Sequence, residues 1–167
     1  MTPRKVFLSA VFLWCALIYV TPLLLLHGGI AASVAGIIYQ FFSHICHQLD
    51  SHSFFFHGAK FPVCVRCTSI YSAFFFAAII FPFVTHVKIL HLPPRWLVAI
   101  ASAPMAIDVG LAIIGIHSAT TMTRLITGTW FGFIIGIVLT PLVQEALAQV
   151  LNSFHKNLTG AYNETKA

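Results

Sequence analysis

Residues 6–26, VFLSAVFLWCALIYVTPLLLL, run for about 21 positions without a charged side chain. A bilayer core of about 30 Å takes about 20 apolar residues as helix, because hydrocarbon offers no partner to an open backbone. That run constrains the chain more than any other feature. Comparable windows recur at about 61–84, 95–116 and 121–143. The expected fold is therefore an all-α integral membrane protein, a four-transmembrane-helix bundle forming a single domain over 1–167. MTPRK followed by the first run looks like a secretory signal, but the run exceeds the usual signal core of about 7–15 residues and reads as a retained anchor. Cys15 falls mid-run behind the bulky Trp14, which suits a packing residue and not a lipoprotein cleavage site.

Only 8% of the residues are charged, nine Lys and Arg against four Asp and Glu, with no basic run. This excludes a case for nucleic-acid binding; the lipid bilayer is the partner that composition implies. The charges serve instead to orient the chain. Residues 29–45, GIAASVAGIIYQFFSHI, are apolar but only about 17 long, at the lower limit for a span. If they form a short interfacial or re-entrant helix, Arg4, Lys5, Lys88, Arg95, Lys156 and Lys166 all fall on one side. Lys60 alone then occupies a loop on the other side, with Arg66 and Arg124 just inside helix ends. This pattern predicts four crossings of the cell (cytoplasmic) membrane, cytoplasmic termini, a cytoplasmic tail over 144–167, and an extracytoplasmic Cys/His loop over 44–67.

That loop and the start of the next apolar segment contain ICHQLDSHSFFFHGAKFPVCVRC, with three cysteines and three histidines, and His44 just before it. Thiols on an oxidising face call for a disulfide, metal or redox role. Pro62 suits the first position of a helix, which would put Cys64 in the first turn with Cys67 and Tyr71 on the same face. The positive end of the helix dipole favours thiolate there, as metal binding and disulfide exchange both require. Cys46 and His47 complete a Cys3His set suited to zinc, with His44, His52 and His57 as further candidate ligands. The alternative is a simple disulfide among solvated loop histidines.

Asp108 lies inside an apolar run, where a carboxylate costs roughly 2.5–3.5 kcal/mol to insert. Arg124 opens the fourth span. At about 1.5 Å per residue, Asp108, Cys67 and Tyr71 fall roughly 12, 9 and 15 Å below the outer helix ends. Asp108, Arg124 and Tyr71 are therefore the candidate catalytic residues of a pocket beside the cysteines; an ion pair between Asp108 and Arg124 is the structural alternative. Gly128, Gly132 and Gly136 form a small-residue ridge on the fourth span, expected to meet Ala99, Ala103, Ala106 and Gly110 on the third.

The order Cys46-His47-Gln48, Ser53-Phe54, Val63-Cys64, Arg66-Cys67 and Tyr71 resembles the family of small prokaryotic membrane proteins catalogued as domain of unknown function 2085. Pro104, Asp108 and Gly110, then Arg124, Thr127 and Gly128, resemble its second block. The similarity covers roughly residues 35–140. It departs at His52, where the family pattern has Arg, and at Ser69 and Ser72, where it has glycines. The resemblance implies a membrane protein and names no activity.

Three functions follow from the residues. The first is a zinc site at Cys46, His47, Cys64 and Cys67 beside an Asp108/Arg124/Tyr71 pocket, acting on a lipid-linked or phosphate-bearing substrate. The second is a membrane thiol–disulfide oxidoreductase that uses Cys64 and Cys67 with Cys46 and passes electrons to a quinone. The third is a non-catalytic subunit or assembly factor that docks a membrane-protein partner through the loop. A c-type haem is disfavoured because Thr68, not His, follows Cys67.

Overall fold

A computed structural model describes residues 2–84, 95–116 and 119–164. Lys88 and Lys166, two of the charges used to orient the chain, lie outside them. The chain forms helix α1 at Pro3–His27 and α2 at Gly29–Ser43, then a short 3-10 turn at Asp50–His52. A hairpin of β1 at Ser53–Phe56 and β2 at Ala59–Cys64 leads into α3 at Val65–Val84. Helix α4 spans Arg95–Ile113 and α5 spans Thr121–Glu164.

Three helices are long and apolar enough to cross a membrane, at Pro3–His27, Val65–Phe83 and Thr121–Ser153. Gly29–Ser43 and Val98–Ile113 are shorter apolar helices, so the described residues supply three such spans where the sequence led us to expect four.

Glycine reverses the chain between the first two helices. Gly28 and Gly29 take φ of +71° and +55°, a left-handed pair that carries no Cβ penalty. The resulting hairpin brings Phe42 back against Ile18, where both join Cys46 and Val63 in the buried core. Trp14, Leu17 and Tyr71 pack around it. Cys15 is buried in α1, its Sγ 3.5 Å from the Tyr71 carbonyl, as expected of a packing thiol.

The β-hairpin is absent from the sequence expectation. Its two-residue tip, His57–Gly58, has φ of +48° and +84°, the backbone of a tight hairpin turn. Register pairs Ser53 with Cys64 and Phe55 with Lys60, so Phe54 alone faces Phe61–Val63. Pro62 sits in that irregularity, where a residue without an N–H is tolerated in a sheet. The expected helix start at 61 therefore moves to Val65, and Cys64 closes a strand instead of opening a helix.

Helix directions follow from the contacts. Phe7 packs on Phe74 while Cys15 and Tyr19, farther along α1, meet Tyr71 and Ser72, so α1 and α3 are antiparallel. Gly128, Gly132 and Gly136 meet Arg66, Ile70 and Phe74 in turn, so α3 and α5 are parallel. Trp130 Nε1 donates to the Ala101 carbonyl at 3.0 Å, and Asp108 pairs with Arg66, so α4 runs opposite to α5.

The glycine ridge thus packs on α3 and not on α4, correcting the expected partner. A Cβ on Gly128 would lie 2.9 Å from the Arg66 carbonyl oxygen, and one on Gly136 2.6 Å from Ala77 Cβ. One on Gly132 would run into the Ile70 backbone. Ala99 and Ala106 are exposed, and Gly110 has open space around its Cα. Backbones approach this closely only where side chains are missing. Gly132→Ala is expected to destabilise the bundle by about 1–3 kcal/mol, whereas Gly110→Ala should be close to neutral. Thermal unfolding in detergent measures both, and equal effects would contradict the packing described.

Candidate metal centre

The sulfur atoms of Cys46, Cys64 and Cys67 lie within 4.8 Å of one another. Three elements deliver them. The α1–α2 hairpin ends just before Cys46, β2 ends on Cys64, and the first turn of α3 carries Cys67. None of the three is bridged in a disulfide. A tetrahedral metal bound at about 2.3 Å needs sulfurs about 3.8 Å apart, a spacing the cluster accommodates.

Gln48 clamps this arrangement. Its side-chain amide donates to the Tyr39 carbonyl at 2.8 Å and the Pro62 carbonyl at 2.7 Å, tying α2 to β2. Its own carbonyl accepts Lys60 Nζ at 2.9 Å, and its backbone takes φ of +49°. The Tyr39 hydroxyl adds a bond to the Lys60 carbonyl. The Cys64 N–H then points at Cys46 Sγ, 3.1 Å away. Hydrogen bonds from the Cys64 and Cys67 side chains, with the backbone N–H groups of Cys64 and Gln48, hold the Cys46 thiol far below its usual range, against the opposing effect of burial. A sulfur that collects donors in this way suits a thiolate or a metal ligand.

The cluster opens onto a cleft of about 220 Å³ lined by the three cysteines with His47, His52, Arg66 and Arg124. His47 is exposed on the cleft wall and does not belong to the group of three sulfurs. His44 is exposed, its Nδ1 2.9 Å from the Gln40 carbonyl, and His57 meets Phe56 edge to face at the hairpin tip. Neither lines the cleft. His52 does, and its Nε2 accepts Arg124 Nη2 at 3.0 Å.

Asp108 and Tyr71 do not line the cleft. Tyr71 packs beneath the cysteines with its ring against Trp14, centroids 5.5 Å apart. Asp108, only 8% exposed, pairs with Arg66. The expected Asp108–Arg124 pair is thus replaced. Arg124 gives its Nε to the Ala119 carbonyl at 3.0 Å and turns its other end to His52. The sequence reading took Arg66 only as added positive charge beside the cysteines and gave Gln48 no role; the Arg66–Asp108 pair and the Gln48 clamp are what it missed. Gln48 and Arg66 lie inside the Cys-His-Gln and Cys-x-Arg-Cys signatures, which was the available signal.

Burial, and then the charges of Arg124 and Arg66, hold the His52 imidazole below the ordinary histidine range. The unfolded chain takes up this proton near pH 6.5. Below that pH the unfolded state binds more protons, so stability is lost as pH falls through the lower folded value. An NMR titration should place the His52 midpoint below about 6.5, and Arg124→Gln should raise it; an unshifted midpoint in both proteins would refute the contact. Asp108→Asn leaves the Arg66 charge buried without a partner and should cost about 3–5 kcal/mol. Asp50, paired with Lys60 but with its side chain 80% exposed, should cost at most about 1 kcal/mol as Asp50→Asn.

A family model described as a predicted membrane protein, domain of unknown function 2085 (DUF2085), matches residues 46–138. An uncharacterized protein of Methanocaldococcus jannaschii is 36% identical over 110 residues, covering 66% of this chain and 70% of the relative. One of Methanothermobacter thermautotrophicus is 32% identical over 111 residues, covering 65% of this chain and 96% of the relative. No solved structure matches the chain significantly. The family match begins on Cys46 and takes in both Cys64 and Cys67 as well as Asp108 and Arg124.

Proposed function

The chain belongs to the DUF2085 family of predicted membrane proteins, and from that premise we propose that it is a membrane metalloprotein with a zinc centre at Cys46, Cys64 and Cys67. The observation that carries this reading is the convergence of three unbridged sulfurs within 4.8 Å, one of them accepting a backbone N–H. Three protein ligands leave a fourth tetrahedral position, the mark of zinc sites that meet a water or substrate oxygen. A metal held by these sulfurs would be reached from the cleft that they line together with His47. Zinc held in this way supplies Lewis acidity to a bound oxygen.

The topology in this proposal has four crossings. Parallel neighbours α3 and α5 require the chain between them to return through the bilayer, and α4, about 28 Å long at 1.5 Å per residue, is the element available. Antiparallel α1 and α3 require α2 to turn back on the side it started from. Both termini then lie together with Arg4 and Lys5, on the cytoplasmic side by the positive-inside rule, and the cysteine centre faces outward. A membrane-impermeant thiol reagent applied to intact cells should label His57→Cys and leave Lys88→Cys untouched, in a background with the native cysteines replaced; the reverse pattern would invert the topology.

Thiol–disulfide exchange is the second reading, favoured by the same sulfur distances. Oxidation of Cys64 and Cys67 to a disulfide would release two electrons and two protons to a quinone. Metal analysis separates the two. Purified protein should carry one zinc per chain, reduced at least tenfold in Cys46→Ser, Cys64→Ser and Cys67→Ser. Zinc should persist in Cys15→Ser and fall less than tenfold in His47→Ala. Thiols that become reactive only after a reductant, with no zinc in the native protein, would replace the metal centre with the redox reading.

A further inference from the structure

The chain has four acidic residues, and their positions leave one cation of the cleft uncompensated. Asp50 is paired with Lys60 and Asp108 with Arg66. Glu145 and Glu164 lie on α5 itself, 21 and 40 residues beyond Arg124, or roughly 30 Å and more along the axis. Among the described residues Arg124 therefore has no carboxylate. Its two contacts are neutral, the Ala119 carbonyl and His52 Nε2. A half-buried guanidinium offers five donors in a planar fork, and these two contacts use only part of it. Arg66 lines the same cleft, and the Asp108 bond leaves its buried Nε without a partner.

We propose that the cleft between Arg124, His52 and Arg66 binds a phosphate-type oxyanion next to the cysteine centre. This deepens the metalloprotein reading by naming a ligand class, and rests on it only for the metal at the ligand's other end. Arginine forks bind the oxygens of a phosphate in bidentate fashion, which a carboxylate-free guanidinium at a cleft wall is free to do. The size of the cleft, about 220 Å³, falls below the roughly 300–1,000 Å³ of pockets that enclose whole drug-sized ligands. It therefore takes a headgroup and leaves the rest of the molecule outside. A phospholipid headgroup and a soluble phosphate share this chemistry.

The internal alternative is that Arg124 neutralises the sulfurs, since three thiolates around a divalent ion retain one negative charge. The contacts favour an external anion, because Arg124 is bonded to His52 and Ala119 and to none of the cysteines.

Binding of inorganic phosphate to the full chain in phosphatidylcholine nanodiscs tests the proposal, with zinc measured on every sample. Saturable binding is expected, weakened at least tenfold in Arg124→Gln, less in Arg124→Lys, and unchanged in Lys5→Gln, an exposed residue far from the cleft. Nanodiscs that also contain phosphatidic acid assign the source. A tenfold loss of apparent phosphate affinity there identifies a lipid headgroup, and an unchanged affinity a soluble phosphate. Zinc-loaded protein that shows no saturation at 10 mM phosphate, or equal affinity in Arg124→Gln, overturns the proposal and leaves the metal centre standing. Loss of zinc from Arg124→Gln with phosphate binding intact assigns the arginine to the sulfurs and also overturns it. Zinc-free wild-type protein that binds phosphate through Arg124 supports the anion site and overturns the metal centre alone.

Discussion

The backbone contact between α3 and α5 sets the register on which the site depends. Within a bilayer no hydrophobic force draws two apolar helices together, so association relies on close packing. Gly128, Gly132 and Gly136 permit it by bringing α5 onto the α3 backbone from Arg66 to Phe74. The two helices consequently run parallel and begin on the same side. Arg124, one turn before Gly128, is thereby held beside the junction of β2 and α3, where Cys64, Arg66 and Cys67 are found. A larger residue on the ridge would disturb this juxtaposition before it touched any cleft residue.

Around that fixed pair, the other elements converge on one end of the bundle. The left-handed Gly28–Gly29 reversal returns α2 along α1 and delivers Cys46 into the core formed by Ile18, Phe42 and Val63. Gln48 locks the delivery by bonding to α2 and β2 at once. The buried Arg66–Asp108 pair joins α4 to the same end. An ion pair of this kind adds little stability over well-packed apolar residues but is costly to break. Its effect here is to set α4 against the base of the cleft while engaging Arg66. The cysteine cluster is thus held by a strand end, a helix start and a clamped loop, which suits a centre whose geometry must persist.

Much of this was legible in the sequence. Long apolar runs mark the long helices, and the Cys-His-Gln and Cys-x-Arg-Cys stretches single out the three sulfurs that meet. The hairpin was not legible, because SFFF and AKFPVC lack the alternation of a half-buried strand and Pro62 imitates a helix start. Depth along a helix could be counted, but the direction each side chain takes around it could not. Asp108 does lie level with the cysteine end, yet it faces Arg66, while Arg124 faces His52. The small-residue ridge was visible as a close-packing surface, but spacing alone says nothing about which neighbour it meets. Two candidate faces on α4 and α5 looked complementary; the parallel approach of α3 claimed the ridge instead.

The family description adds the membrane and leaves the chemistry to the side chains. What distinguishes this site is the combination of three clustered sulfurs with an arginine that no carboxylate among the described residues neutralises. The most direct test of the central claim is zinc-edge X-ray absorption on the purified, metal-loaded protein. The account predicts three sulfur scatterers at about 2.3 Å and one nitrogen or oxygen at about 2.0–2.1 Å. A shell without sulfur, or one unchanged when Cys46, Cys64 and Cys67 are all replaced by serine, would contradict it.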